Sequence, residues 1–411
     1  MRRYSNTTIM PRSSNSNSLR RQRQAQHQHY EYTRANLPTL IQKRISVMSL
    51  CSAWFFLILV GHVIFSTKVL LKSSISSNNL LRRDDSNCTT SKRPRSKGLD
   101  HIQVAATDLA AVKLLCFVMT DSSNHAQVNS ILSTWGGKCR RFVIFTNAEN
   151  PTIYSEIQSD QAQVDLVIND NATLSTYPYL WQKLHASIRY LCERYSQQYD
   201  WFLKVDTDTF VVIENLVEFL SKKEHNQTPN VFGRLISYPI LLEDLVQDPS
   251  EDNVLSTISK NGAEIRELII QRISMISKDR SYPLYYLQGG AYVMNNAMLR
   301  LLGEQRYGDN GIWGVGTPPE DLAFGLNLWL KGIALAPSRD DQNRELFHPE
   351  LPGDMIDVPD RANWMVDYHK HVKGGLKRGI NCCSRYSISF HHVPKTLMSY
   401  YFNQLYINEN C

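Results

Sequence analysis

From Ala110 onward, short apolar runs alternate with stretches whose apolar residues recur at helical spacing. Val112 to Met119, Arg141 to Thr146 and Val164 to Ile168 read as strands, and Ala126 to Trp135 reads as an amphipathic helix between the first two. A longer helix over Tyr179 to Tyr195 precedes the strand Trp201 to Val205. Such alternation predicts an α/β domain built on a mostly parallel sheet flanked by helices. The pattern breaks between Leu235 and Gln288, where the acidic patch Glu243, Asp244, Asp248, Glu251 and Asp252 is followed by Ile265, Leu268, Ile269, Ile273 and Ile276 at helical spacing. This stretch reads as an inserted amphipathic helix packed on the domain, with a partner-binding helix as the alternative.

The first 110 residues follow a different rule. Residues 1–44 are rich in Ser, Asn, Gln and Arg and cannot bury enough apolar surface to fold, so a disordered tail is expected. Ile45 to Thr67 are 23 uncharged residues, enough to span a bilayer core as a helix. A span over 45–71 behind a basic tail predicts a single-pass signal anchor with the tail cytosolic and the C-terminal mass lumenal; a cleaved signal peptide or a buried helix fits less well. Residues 72–109 have the composition of a solvated stem, and 110–411 form the globular domain, with the insertion at 235–288.

Charge narrows the function classes. The net charge of +6 is concentrated at the N-terminus: residues 1–44 hold nine Lys/Arg against one acid, and Lys68 to Lys97 hold eight against two. Everything from Gly98 onward is therefore net acidic, which argues against a nucleic-acid groove in the folded part. Of eight cysteines, Cys116, Cys139, Cys192, Cys382, Cys383 and Cys411 fall in the domain, Cys51 in the span and Cys88 in the stem. A lumenal domain would oxidise several, and their pairing stays open. Sequons begin at Asn6, Asn87, Asn171 and Asn226; the last three are glycosylation candidates if the domain is lumenal.

Four clusters carry candidate chemistry. The apolar strand Trp201 to Val205 ends in Asp206-Thr207-Asp208, two carboxylates spaced i, i+2. Ligands of open α/β sheets lie beyond the C-terminal ends of strands, and hard oxygen donors there suit Mn²⁺ or Mg²⁺; an ordinary surface turn is the alternative. Gly289 and Gly290 open an apolar strand, either as a tight turn or where a ligand approaches the backbone. Glu320 and Asp321 sit in the first turn of a helix, where dipole stabilisation alone would also place acids. Cys382-Cys383-Ser384 leads into a short strand ending in His391 and His392, and imidazole is a further Mn²⁺ ligand.

The collinear order of DTD, GGA, PPEDLAFG, CCS and SFHHV behind an N-terminal anchor resembles the core 1 β1,3-galactosyltransferase branch of the inverting β1,3-glycosyltransferase family that also contains fringe. Phe117-Val118-Met119-Thr120, Ser133-Thr134-Trp135, Trp181-Gln182-Lys183, Phe232-Gly233-Arg234 and Phe347-His348-Pro349 add to the likeness, which covers roughly Val112 to Leu405. The resemblance implies a GT-A fold that moves galactose from UDP-galactose, with Mn²⁺ or Mg²⁺, to GalNAc on Ser or Thr of glycoproteins in β1,3 linkage. It implies Asp206, Asp208 and His391 as metal ligands, and Thr120, Trp135, Lys183, Asp206, Gly289 and Gly290 near the nucleotide. One of Glu320 and Asp321 would be the catalytic base, with Asp321 the preferred choice. It also implies a Golgi membrane location, a glycoprotein or glycopeptide acceptor as partner, no nucleic acid, and a homodimer among the allowed assemblies. The insertion and Thr207, which stands where the family has a third acid, depart from the pattern. A fringe-like β1,3-N-acetylglucosaminyltransferase, another β1,3-transferase and a non-catalytic chaperone-like relative remain the competing readings.

Overall fold

A computed structural model describes residues 98–147, 163–168, 180–241, 263–276, 281–305, 320–335, 337–357 and 363–407. The tail 1–44, the span 45–71, most of the stem, the sequons at Asn6, Asn87 and Asn171, the acidic patch 243–252 and Cys51, Cys88 and Cys411 lie outside them. Among the described residues no helix is long and apolar enough to cross a membrane.

The chain enters its core earlier than composition suggests. Leu99 and Ile102, inside the stretch that reads as stem, are buried in the main apolar cluster. Then follow β1 (Leu114–Met119), α1 (His125–Leu132), β2 (Arg141–Thr146), β3 (Gln163–Ile168), α2 (Leu180–Tyr195) and β4 (Trp201–Val205). β5 (Phe210–Val211), α3 (Ile213–Leu220), β6 (Val231–Leu241), α4 (Ala263–Ile276) and β7 (Ser281–Asn295) come next. The remaining elements are α5 (Asn296–Gly303), α6 (Glu320–Leu330), β8 (Phe347–His348), α7 (Pro352–Ile356), α8 (Asn363–His369), β9 (Ser389–Phe390) and α9 (Lys395–Phe402).

The main sheet has the order β3-β2-β1-β4-β7-β6. The first four strands pair in parallel, whereas β7 runs antiparallel to both β4 and β6. A two-residue side-chain period divides each central strand between two cores. Leu114, Cys116, Val118, Leu203 and Val205 join one cluster, and Leu115, Phe117 and Phe202 join the other. Onto the second face α2 lays Trp181, Leu184, Ile188, Leu191 and Tyr195, whose three- and four-residue spacing makes one apolar stripe. A disulfide between Cys116 and Cys139 ties β1 to the turn after α1. Cys382 and Cys383 bond to each other, and Cys192 is free.

The insertion differs from the expectation of a helix alone. Leu235 to Leu241 pair with Ser281 to Leu287, so most of its ends form an antiparallel ribbon continuing the sheet. Helix α4 packs Ile269 and Ile273 against Ile236, Ile240 and Leu284 of that ribbon, while Leu268 and Ile276 are exposed.

Candidate active site

Strand β4 is fully buried and apolar except for the buried Lys204, which pairing places opposite Tyr292 of β7. Where β4 stops, the chain turns over Asp206 to Thr209. The Asp206 amide donates to the Gly290 carbonyl at 3.0 Å, and the Thr209 hydroxyl donates to the same oxygen at 2.7 Å. A small second sheet, β5-β9-β8, then delivers the other half of the site. Phe210 pairs with Phe390, and the Val393 amide donates to the Asp208 carbonyl at 2.8 Å. Two residues distant by almost two hundred positions, Asp208 and His391, are thereby forced together.

The carboxylates face different partners. Asp206 accepts from the Lys204 ammonium through Oδ1 at 2.6 Å, leaving Oδ2 turned to His391 Nε2 at 3.5 Å. Asp208 Oδ1 lies 3.0 Å from His391 Nε2, and its Oδ2 lies 3.4 Å from His392 Nδ1. Burial pushes the Asp208 carboxyl up, but hydrogen bonds and charge from the two imidazoles outweigh it and hold the group well below the usual carboxylate range. Behind the pair, the Gln288 side-chain amide is 2.8 Å from His391 Nδ1 and fixes the ring from its far side. Gly290 is explained by the same ring: a Cβ there would stand 2.6 Å from His391 Cγ. The glycine pair therefore makes room for an imidazole at Gly290, and Gly289 precedes it in β7.

On the other side of Lys204 stands the start of α6. Glu320 is buried; its Oε1 accepts from the Tyr292 hydroxyl at 2.8 Å, and its Oε2 is 3.5 Å from Lys204 Nζ. Burial lowers the tendency of Lys204 to hold its proton, but Asp206 and Glu320 reverse that and raise its pKa. Asp321 is half-buried, and desolvation with the neighbouring Glu320 charge pushes its carboxyl up to about 7. One buried ammonium thus serves Asp206, Glu320 and Asp321. The surplus is negative, and the most accessible acid of α6 exchanges its proton near neutrality.

The nucleotide candidates separate. Thr120 follows β1, at the same end of the sheet as Asp206, because Val118 pairs with Val205. Lys183 of α2 is buried and donates to the Thr120 carbonyl; burial lowers its pKa to about 8 against a smaller opposing pull from Asp121. Trp135 does not join them. It lies beyond α1, which carries the chain back toward the start of β2, and its ring is wholly buried beside Phe142.

Two carboxylates and an imidazole converging at a strand end fit a hard or borderline divalent cation by donor chemistry, and the neighbouring surplus of carboxylates favours one by charge. Asp208, His391 and His392 each offer a donor atom within 4.8 Å of the others. Asp206, Asp208, His391, Glu320 and Asp321 stand out in the sequence as candidates, whereas Lys204, Gln288, Tyr292 and the contact of His392 with Asp208 do not. A lysine inside an otherwise apolar strand was the available signal for Lys204.

Comparison with known proteins bears on the family and the fold. Residues 112–263 match the Fringe-like family. Glycoprotein-N-acetylgalactosamine 3-beta-galactosyltransferase 1 of Xenopus laevis is 24% identical over 285 residues, covering 69% of this chain and 63% of that protein. The match therefore spans less than two thirds of that relative's length. Among solved structures, the galactosyltransferase LgtC in complex with donor and acceptor sugar analogs, and an active-site mutant of the same enzyme, each align over 71% of this chain and 96% of theirs, with 12% identity and a TM-score of 0.38.

Proposed function

We propose that this chain is a metal-dependent, inverting glycosyltransferase of GT-A type that moves galactose from UDP-galactose to GalNAc on Ser or Thr of glycoproteins, forming a β1,3 linkage. The observation that carries the reading is the buried Lys204 ammonium, which bonds Asp206 of an Asp206/Asp208/His391 cluster on one side and meets Glu320 on the other, next to an Asp321 carboxyl pushed up to about 7. The Fringe-like match and the name of the Xenopus relative support the class of reaction and the sugar.

In this mechanism Asp321 accepts the proton of the acceptor 3-hydroxyl while that oxygen forms a bond to C1 of the donor sugar and the bond from C1 to the UDP oxygen breaks on the opposite face. A single displacement inverts the anomeric centre, and the proton leaves Asp321 for solvent after the product departs. Asp208 and His391, with Asp206 beside them, would hold a divalent cation, which when bound would offset charge on the departing diphosphate. Glu320 stays out of the proton transfer because Tyr292 and Lys204 hold it inside the fold. Lys183 and Thr120 mark the strand end where the nucleotide would lie. Anchoring by residues 45–71 in a Golgi membrane, with the domain lumenal, goes with this reading; two disulfides suit such an oxidising compartment.

The Fringe-like match favours one second reading, a fringe-like β1,3-N-acetylglucosaminyltransferase. The deciding experiment incubates the full chain with Mn²⁺, a panel of UDP-sugars, and GalNAc-peptide or fucose-peptide acceptors. Galactose on the GalNAc-peptide is the expected product, and its loss in Asp208→Ala ties it to the site. Transfer of N-acetylglucosamine to the fucose-peptide would establish the second reading. No transfer from any donor by the folded protein would return the chain to the non-catalytic class.

A further inference from the structure

We infer that His392 is a second imidazole ligand of the cation site, so that the site is selective for borderline transition ions over Mg²⁺. This rests on the metal site of the proposed function and adds to it a residue and a metal preference.

Consecutive side chains at the end of an extended strand point to opposite faces. His391 and His392 do not. His392 has φ 57°, a left-handed backbone that is uncommon outside Gly and, among other residues, is adopted chiefly by Asn, Asp and His. That conformation cancels the alternation and brings the two rings together, with centroids 3.9 Å apart and planes inclined by 22°. Each ring then presents a nitrogen to a different oxygen of Asp208, His391 Nε2 at 3.0 Å and His392 Nδ1 at 3.4 Å. A backbone turn that breaks the strand alternation and brings a second imidazole onto the same carboxylate suits a ligand better than a surface residue.

The spacing agrees. Donor atoms each about 2.1 Å from one ion lie about 3 Å apart when adjacent and about 4.2 Å apart when opposite. The Asp208–His391 and Asp208–His392 separations of 3.0 and 3.4 Å fall inside that range, and one donor atom from each of the three residues lies within 4.8 Å of the others. Asp206 is set differently, with one oxygen committed to Lys204 at 2.6 Å and the other 3.5 Å from His391. The nearest donor set is therefore one carboxylate and two imidazoles. Carboxylates alone suit Mg²⁺ and Mn²⁺, whereas added imidazoles move preference along the series toward Co²⁺ and Zn²⁺.

The test titrates the metal-free full chain, without an affinity tag containing histidine, with Co²⁺, Zn²⁺ and Mg²⁺, following the visible Co²⁺ bands and the binding heat. His392→Asn keeps a residue that tolerates the left-handed backbone and removes the imidazole; His392→Phe is the second variant. Both should lose at least about 10- to 100-fold in Co²⁺ and Zn²⁺ affinity, the loss seen when even a partner of a ligand is removed. Their Co²⁺ bands should change, while Mg²⁺ affinity shifts by less than about threefold. Wild-type Co²⁺ affinity and bands in folded His392→Asn would overturn the inference. Pulsed electron paramagnetic resonance of the Cu²⁺-loaded wild type gives an answer independent of the variants: two coupled imidazoles are expected, and one would overturn it. Asp208→Ala separates the two levels. If it keeps Co²⁺ binding at this site, the metal reading itself fails; if it loses binding while His392→Asn does not, only the role of His392 falls.

Discussion

Two buried cations, Lys204 and Arg234, sit on neighbouring parts of one sheet and are used in opposite ways. Lys204 at the end of β4 is outnumbered by Asp206, Glu320 and Asp321, two of them within 3.5 Å. Arg234, near the start of β6, is 3.5 Å from Glu345, whose other oxygen is 2.6 Å from Arg339, so two guanidinium groups share one carboxylate. Two histidines border this second cluster. His369 Nε2 accepts from Arg234 Nε at 2.9 Å, and burial with the guanidinium charge pushes its pKa down to about 3; the same causes hold His348 well below its usual range. Neutral imidazoles add no further positive charge there. A negative surplus at an accessible strand end invites a cation and a proton, whereas a positive surplus enclosed in the fold can only hold elements together.

The strongest way to break this contrast is Glu345→Gln. It leaves two buried guanidinium groups without their shared counter-ion, which costs about 3–5 kcal/mol in comparable buried pairs. Chemical unfolding should show a loss of that size. The fraction that stays folded should bind divalent cations as the wild type does, because Glu345 holds β6 to the segment before β8 and none of the site carboxylates. A cation affinity that fell in parallel with stability would show the two clusters to be one system.

Asp321→Asn carries the next largest effect. As the base it should lose turnover on the order of 10²-fold, about 2.7 kcal/mol of barrier, while UDP binding and the start of α6 are kept. In the wild type, turnover should rise as pH increases through about 7, where Asp321 ionises, and the rising limb should vanish in the variant. The stability contribution has the opposite slope. A carboxyl raised on folding keeps a proton that the unfolded chain releases near 3.8, so this contribution falls as pH climbs from about 4 to about 7. Glu320→Gln is the control. It should lower stability by about 1–3 kcal/mol through its buried contacts with Tyr292 and Lys204, with little change in rate. Collapse of turnover in Glu320→Gln alone would transfer the base to Glu320.

The two clusters also differ in how plainly the sequence announces them. The parallel half of the sheet is readable because Val112 to Val205 carry unmixed strand and helix periods, and the observed β1, β2, β3 and β4 start within two residues of the expected runs. Asp206, Asp208 and the Glu320-Asp321 pair stand out because acids directly after apolar runs are conspicuous. The ribbon of β6 and β7 is hidden because both of its faces are covered: Ile236, Ile240, Leu284 and Tyr286 join the cluster of α4 and α6, with Tyr238 beside them, whereas the alternate residues Leu235 and Leu287 join the core under the main sheet. No simple alternation survives such packing. Arg234, Glu345 and Arg339 are far apart in sequence, and a lone charged residue in each segment gives no sign of its partners. The burial of Trp135 is hidden in the same way, since a tryptophan beside a glycine turn has the same local appearance whether it faces a ligand or the core.

The smallest effect tests the tightest contact between sheet and site. Gly290 has no positive φ to accommodate, so alanine is acceptable to its backbone, and the only obstacle is the imidazole 2.6 Å from the new Cβ. A ring so placed must move by several tenths of an ångström or more, and His391 has little freedom. Its Nδ1 is held by Gln288, and its backbone amide donates to the His348 carbonyl at 3.1 Å. The displacement should therefore appear at Nε2, the atom facing Asp208, and not as a shift of the small sheet. Gly290→Ala should weaken divalent-cation binding about tenfold, 1.4 kcal/mol, of the order seen when a ligand's orientation is disturbed. Stability should fall by no more than the 1–3 kcal/mol typical of overpacking. Pairing it with Gln288→Ala sharpens the test. Freeing the far side of the ring gives His391 room to retreat, so the two changes should not add, and the double variant should bind cations no worse than the weaker of the single ones. Strict additivity in metal titration would mean that Gly290 and Gln288 do not act through the same ring.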